Sequence, residues 1–413
     1  MRTWMRNAAL ITLLLGARAD AAVIVVAGSI GPGIDHTSLQ TAIGVAQNGD
    51  IILLKPGTYG PALIQGKSLT IAKVGDFAQV GGLIVQDLAA DQRVVLRDLT
   101  LTYLVVTPPP IVFLPPLQVR TCAGAVSVEG CDLDYYSALG PDRTAAVVTQ
   151  SERVVFSQCS LTGGDGSPTL FDPFVGGVPG GEALRVVDSK VWLHGSTCRG
   201  GDGGVAVDDE MSPTSGGDGI RAQNSWVWLF GSDVKGGDGQ HLFDFKTGFD
   251  DIAPAGAGLR LSNTFAIVQD STIAAGRKAT AAALPTPPIV GSQASTVPGI
   301  PALLELTSPV DDGANIHVRV HGQPGHPAVL LAGGSHTFVG VPLVLGMLQV
   351  GAPAVLVGLG TLPANGAIEF DANAGHLPPG VEGLAATVQV HVAGAGLLPA
   401  SLSNPATCLI VNP

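Results

Sequence analysis

Apolar residues recur along the chain in a long-period pattern. One apolar residue per unit serves as an anchor: Leu101, Leu133, Leu161, Cys198, Val234 and Ile273. Five and seven residues before each anchor stand further apolar pairs: Leu96 and Val94, Val128 and Val126, Phe156 and Val154, Leu193 and Val191, Leu229 and Val227, Val268 and Ala266. The residues between them are mixed, the alternation expected of a strand with one buried face. Further upstream, the last four units carry Val147 and Thr149, Leu184 and Val186, Ile220 and Ala222, Leu259 and Leu261, which predict a third strand. Three short strands per unit, joined by tight turns, predict one coil of a solenoid per repeat. The two clearest copies, 183–199 and 219–235, are 36 residues apart, and each is followed by Gly-Gly-Asp-Gly.

Turn chemistry supports the same periodicity. Ser151, Asp188, Asn224 and Asn263 stand ten residues before the anchor and are expected to share one bend, because Asn and Asp accept the left-handed backbone that such a bend needs. A bare coil needs only about twenty-odd residues. The surplus falls at 167–181, 204–217 and 240–256, so three long loops are expected to leave the same edge of successive coils. Pro108-Pro109-Pro110 and Pro115-Pro116 mark an earlier insertion.

Ahead of the repeats, Leu39, Ala42, Ile43 and Ala46 fall on one face of a short helix with Ser38 as N-cap. A strand at Ile51 to Leu54 and a turn at Pro56-Gly57-Thr58-Tyr59 follow Gly49-Asp50. This opening resembles that of right-handed parallel β-helix proteins of the pectate-lyase-like superfamily. The resemblance spans roughly Leu39 to Gly276 and implies that the helix caps the open end of the coil and that asparagines stack at one bend. The fold expected is all-β: a right-handed parallel β-helix with three short strands per coil and an N-terminal helix cap, over residues 23–278. Pro285, Pro287, Pro288 and Pro298 predict a linker at 279–301 without regular structure. Alternating strands with Gly/Pro turns then predict a small β-sandwich at 302–413.

Composition adds compartment and partners. Arg2 and Arg6, the apolar run from Ala8 to Leu15 and the small residues Ala17-Arg18-Ala19 or Ala19-Asp20-Ala21 predict a signal peptide at 1–22 and a secreted or cell-surface product. The apolar run is too short to span a bilayer, so no membrane span is expected in the mature chain. Lys plus Arg number 21 against 33 Asp plus Glu, and this net charge of −12 argues against nucleic acid as a partner. Five cysteines without a CxxC pair argue against zinc; Cys122 and Cys131 are candidates to pair, with the connectivity open.

Candidate chemistry lies on the coil exterior. Arg185, Arg221 and Arg260 are equivalent and form a ladder about 4.8 Å apart. Like charges so close need partners. An anionic polysaccharide along the coil axis is one; Glu182, Asp218 or the loop acids Asp208, Asp209 and Glu210 are the other, and the favoured one. Trp192 and Trp228, with Trp226 nearby, are also outward, either as a sugar platform or packed under a loop. Asp165, Asp202 and Asp238 of the Gly-Gly-Asp-Gly segments either share Ca²⁺ or support turns, and turns are the simpler reading. The resemblance implies catalytic sets built from an Arg base with Ca²⁺-binding aspartates, or from clustered aspartates with a His and Arg-x-Lys. This sequence has no Arg-x-Lys and no Gly-His-Gly. The favoured expectation is a non-catalytic protein that binds polysaccharide or a cell-surface glycan, or serves as a structural surface element. The alternative is a polysaccharide lyase or glycoside hydrolase acting on an acidic polysaccharide, with Asp208, Asp209 and Arg221 near the chemistry.

Overall fold

A computed structural model describes residues 21–412 except 103, 107–111, 136–141, 167–177, 205–213, 244–249, 281–282 and 395–398. Most of the expected signal peptide, Asp208, Asp209 and Glu210 therefore lie outside the described residues.

The repeats build three long parallel sheets, one strand per coil in each. Sheet 1 has ten strands, from Val23–Val26 and Ile51–Leu54 through Lys190–His194 and Trp226–Phe230 to Ala294–Val297. Sheet 2 has eight, including Ala146–Thr149, Leu184–Val187, Ile220–Gln223 and Leu259–Ser262. Sheet 3 has eight short ones, including Ser160–Thr162, Thr197–Arg199 and Asp233–Lys235. The anchors Leu101, Leu133, Leu161, Cys198 and Val234 are buried in one continuous interior with the apolar residues of sheets 1 and 2. The helix Leu39–Val45 closes the first end, with Ser38 accepting from Thr41 N at its start. Lys67 Nζ donates to the carbonyls of Ile43, Gly44 and Ala46, meeting the negative end of that helix. The Tyr59 hydroxyl donates to Val26 O and Lys55 O, tying the first turn to the cap.

The turns are held by two hydroxyl ladders. At the bend from sheet 2 to sheet 1, Asp188, Asn224 and Asn263 have positive φ, and the residue after each reaches back one coil. Ser151 N donates to Ser189 Oγ, Ser189 N to Ser225 Oγ, and Ser225 N to Thr264 Oγ1. The bend from sheet 1 to sheet 3 repeats this, with Cys159 N donating to Ser196 Oγ and Ser196 N to Ser232 Oγ. Cys122 occupies the serine position of the first bend, and Cys131 and Cys159 that of the second. All five cysteines are free and buried, so the candidate Cys122–Cys131 pair does not form. Burial pushes the Cys159 thiol up to about 12, which keeps it unreactive.

Two expectations need correction. Gln150, not Ser151, is the left-handed residue equivalent to Asp188, and Ala146 and Val148, not Val147 and Thr149, face the interior. The bend at 150–153 holds one residue more than the bend at 188–190, so counting back from the anchor slips by one and reverses the inward face. The proline-rich 279–301 also carries regular structure. Ile289–Gly291 pairs with sheet 2 and Ala294–Val297 with sheet 1, forming part of a last coil.

Beyond it, a three-stranded antiparallel sheet (Leu303–Leu306, Asn315–His321, Ala367–Asn373) faces a larger sheet containing Pro327–Gly333, Ala354–Thr361, Gly383–Val392 and Ala406–Val411. Leu304, Ile316, Val318, Leu330, Val388, Val390 and Ile410 share the core between them, as a small β-sandwich requires. This second unit lies against the outer face of sheet 1. Leu409 and Val411 pack on Ile51, Leu53 and Ala72. Between the apolar contacts sits a buried ion pair, Arg97 Nη1 to Glu129 Oε2 at 2.8 Å. Glu129 also accepts from Thr407 N and Oγ1, and Arg97 donates to the carbonyls of Leu306, Ser308 and Thr407. With every group satisfied, losing either partner strands a buried charge at a cost of roughly 3–5 kcal/mol.

Two histidines are enclosed in the same region. Burial lowers the His194 pKa to about 3, and burial with Arg93 and Arg153 nearby lowers that of His336 to about 2. Both stay neutral in the folded chain and protonate in the unfolded chain below about pH 6.5, so protons favour unfolding. Stability is therefore full above about pH 6.5 and falls as pH drops, by about 1.4 kcal/mol per pH unit for each histidine. Urea unfolding between pH 7 and 4 should show this slope, and His194→Gln with His336→Gln should flatten it; an equal slope in the double variant contradicts the assignment.

Candidate functional site

Strand register brings the arginines together. Arg185, Arg221 and Arg260 are direct partners on the outer face of sheet 2. Carboxylates from the segments entering each strand separate them. Arg185 takes Asp142 through both terminal nitrogens, at 2.7 and 3.1 Å, and also Glu182. Arg221 bridges Glu182 and Asp218, each at 3.1 Å. Arg260 takes both oxygens of Asp218, at 2.6 and 3.0 Å. The order Asp142, Arg185, Glu182, Arg221, Asp218, Arg260 is an alternating row of three cations and three anions. Burial raises the Asp142 pKa, but its bonds from Thr144 and Arg185 outweigh this and hold it below the usual carboxylate value. Arg221 is thus shared between two carboxylates of the row.

The tryptophans are placed differently. Trp192 is 4% exposed, and Trp228 stacks on it at 4.3 Å with the planes 4° apart. Phe338, Leu345 and Met347 of the second unit cover this pair, with Phe338 edge-on to Trp192 at 5.0 Å. The cover over these residues is thus a hairpin of the second unit, His336–Gly340 paired with Met347–Val350, and not a loop. Trp226 extends the stack outward, 5.7 Å from Trp228 and 5.1 Å from Phe265, and is 45% exposed.

The aspartates of the glycine segments serve the backbone. Asp165 Oδ1 accepts from Asp202 N, Asp202 Oδ1 from Asp238 N, and Asp238 from Arg277 N and Nε. Among the described residues no cluster of three or more His, Cys, Asp or Glu side chains is arranged to hold a metal ion. The glycines beside them run as a fourth wall in which outgoing and returning segments alternate: Gly181 N donates to Gly164 O, Gly201 N to Gly181 O, Gly217 N to Gly201 O, and Gly237 N to Gly217 O. A Cβ on Gly201 would overlap the Gly164 carbonyl, and one on Gly237 that of Gly201, which explains the glycine pairs.

Among the described residues, one of the faces left open is the corner between sheets 2 and 1. Its successive rows are the arginines; Gln223 and Ser262; the bend residues Asp188, Asn224 and Asn263; and Lys190, Trp226 and Phe265. Asn263 Nδ2 donates to Asn224 Oδ1 and Asn224 Nδ2 to Asp188 Oδ1, so the bend row is a fixed polar strip. A cleft of about 600 Å³ lies at the opposite edge of sheet 1, lined by Arg97, Asp98, Gln158, Glu305, His317 and Arg319. Its arginines are already paired, Arg97 with Glu129 and Arg319 with Glu369, and His317 Nδ1 lies 2.9 Å from Asp371 Oδ1.

No protein-family model and no curated protein matches the chain. Among solved structures it is similar to a pectin methylesterase from Aspergillus niger, at 13% identity, 68% of this chain, 88% of that chain and a TM-score of 0.23. It is also similar to the tailspike receptor binding domain of siphovirus 9NA, at 10% identity, 86% and 94% coverage and a TM-score of 0.15. A tailspike protein from Pseudomonas phage LKA1 follows at 10% identity, 86% and 68% coverage and a TM-score of 0.13. The chain's own strand pairing is that of a parallel β-helix.

Asp218 is the hub of the charge row, 2% exposed and bonded to Arg221, Arg260 and Ala257 N. Asp218→Asn should lose about 1–3 kcal/mol in urea unfolding, more at low salt. A loss below about 0.5 kcal/mol would show that the arginines do not depend on it.

Proposed function

We propose that this is an exported or cell-surface β-helix protein that binds polysaccharide along its exterior without cleaving it. The observation carrying this reading is the open corner: a straight, rigid strip in which charged, amide and aromatic rows run side by side along the coil axis. A linear polymer with a regular repeat fits such a strip, because equivalent residues recur about every 4.8 Å. Few precisely placed polar groups beside an aromatic face suit a hydroxyl-rich ligand. The basic start and apolar run at the N-terminus support the export part of this reading. Among the described residues no helix is long and apolar enough to cross a membrane.

Affinity electrophoresis of the full chain through gels holding a panel of soluble polysaccharides tests the proposal, with reducing-end and unsaturated-product assays run on the same mixtures. Retardation by at least one polymer, with no product formed in the presence or absence of Ca²⁺, is expected. Product release would establish the lyase or hydrolase reading instead. Retardation by none would remove the binding role.

A further inference from the structure

We infer that the corner takes a neutral polysaccharide, with one sugar ring seated on Trp226; this rests on the binding role proposed above and specifies its ligand. The charge row argues for neutrality. Arg185, Arg221 and Arg260 are balanced by Asp142, Glu182 and Asp218 at 2.5–3.1 Å. An acidic polymer would have to displace these carboxylates, three of them already desolvated or doubly bonded, and would then leave them beside its own charges. In the two coils that carry Trp226 and Phe265, the rows beside the arginines add no unpaired cation; Arg120 and Arg153 stand in those rows only on earlier coils. Lys190 is paired with Glu152, and Asp188 contributes a negative charge to the bend row. Hydroxyl groups face no such barrier, since they donate to the outer carboxylate and amide oxygens and accept from amide and guanidinium N–H groups.

Trp226 supplies the apolar contact. Its indole is held by Trp228 behind it and Phe265 beside it, and Trp192 and Phe338 anchor that stack beneath the second unit. The exposed ring is thus rigid before any ligand arrives, so little ordering entropy is lost on binding. Its area also selects the partner. One indole and a partly buried phenyl form an apolar patch far smaller than the roughly 800 Å² per partner of a stable protein interface. Polar rows border it on the bend side, as expected for a ring whose apolar face stacks while its edge hydroxyls bond.

Titration calorimetry with the full chain tests this, using neutral glucans, mannans and galactans beside uronate polymers, on wild type, Trp226→Ala and Trp226→Phe. Melting curves confirm folding, which the exposed position of Trp226 should leave intact. Binding of a neutral polymer, weakened about tenfold or more in Trp226→Ala and partly restored in Trp226→Phe, is expected. Preference for uronates, or neutral binding unchanged in Trp226→Ala, overturns this inference and leaves the binding role standing. Self-association lost in Trp226→Ala would assign the ring to a second copy and overturn it too. No binding to any polymer removes both.

Discussion

Backbone hydrogen bonding from coil to coil, at constant register, governs everything else in this molecule. Each strand lies about 4.8 Å above its equivalent, so every exterior position becomes a row of equivalent side chains. A row must be chemically tolerable with itself. Apolar rows stack without difficulty in the interior. Asn, Asp and Ser rows bond to themselves at the bends. An arginine row repels itself, so Asp142, Glu182 and Asp218 are placed at the strand entrances to separate the charges. Where two backbones must pass closest, only glycine is accepted, and the Gly-Gly pairs of the fourth wall follow.

The same regularity leaves a long flat face on sheet 1 that a coil alone cannot protect. Ile51, Leu53, Val155, Trp192 and Phe230 point outward there, and the second unit covers them. Apolar contacts at each end frame the Arg97–Glu129 pair, whose bonds to Thr407, Leu306 and Ser308 fix the position of the cover. The covering limits the accessible surface by subtraction. It removes Trp192 from any ligand and leaves Trp226 as the accessible end of the stack, next to a charge row that is internally neutral.

The fold was legible because its signal is repeated: a wrong reading of one coil is corrected by the next. The anchors, the Arg221 and Trp228 alignments and the helix at Leu39 to Ala46 all follow from periodicity, and its capping role from the family resemblance. Failures occurred where the period breaks or where contacts are distant. One extra residue at 150–153 reversed an inward face. Prolines at 285–288 masked the last coil, although the strands at 289–291 and 294–297 contain none. Glu182 and Asp218 were among the acids foreseen, because they lie three residues away or one coil away; Asp142, 43 residues before Arg185, was not. Thr407 on Glu129 is 278 residues distant, and nothing local announces it. Phe338 over Trp192 is equally remote, so the cover was mistaken for a loop. The loop acids Asp208 and Asp209 lie outside the described residues and enter none of these arguments.

Selective burial of the stack is the claim on which the account turns, and acrylamide quenching measures it directly. Two variants are needed, each with a single repeat tryptophan: one retaining Trp192 and one retaining Trp226, the others replaced by phenylalanine. The account predicts a Trp192 signal shielded until the chain unfolds and a Trp226 signal quenched readily in the native state. Equal quenching of the two in the native protein would mean that the second unit does not cover sheet 1, and would contradict it.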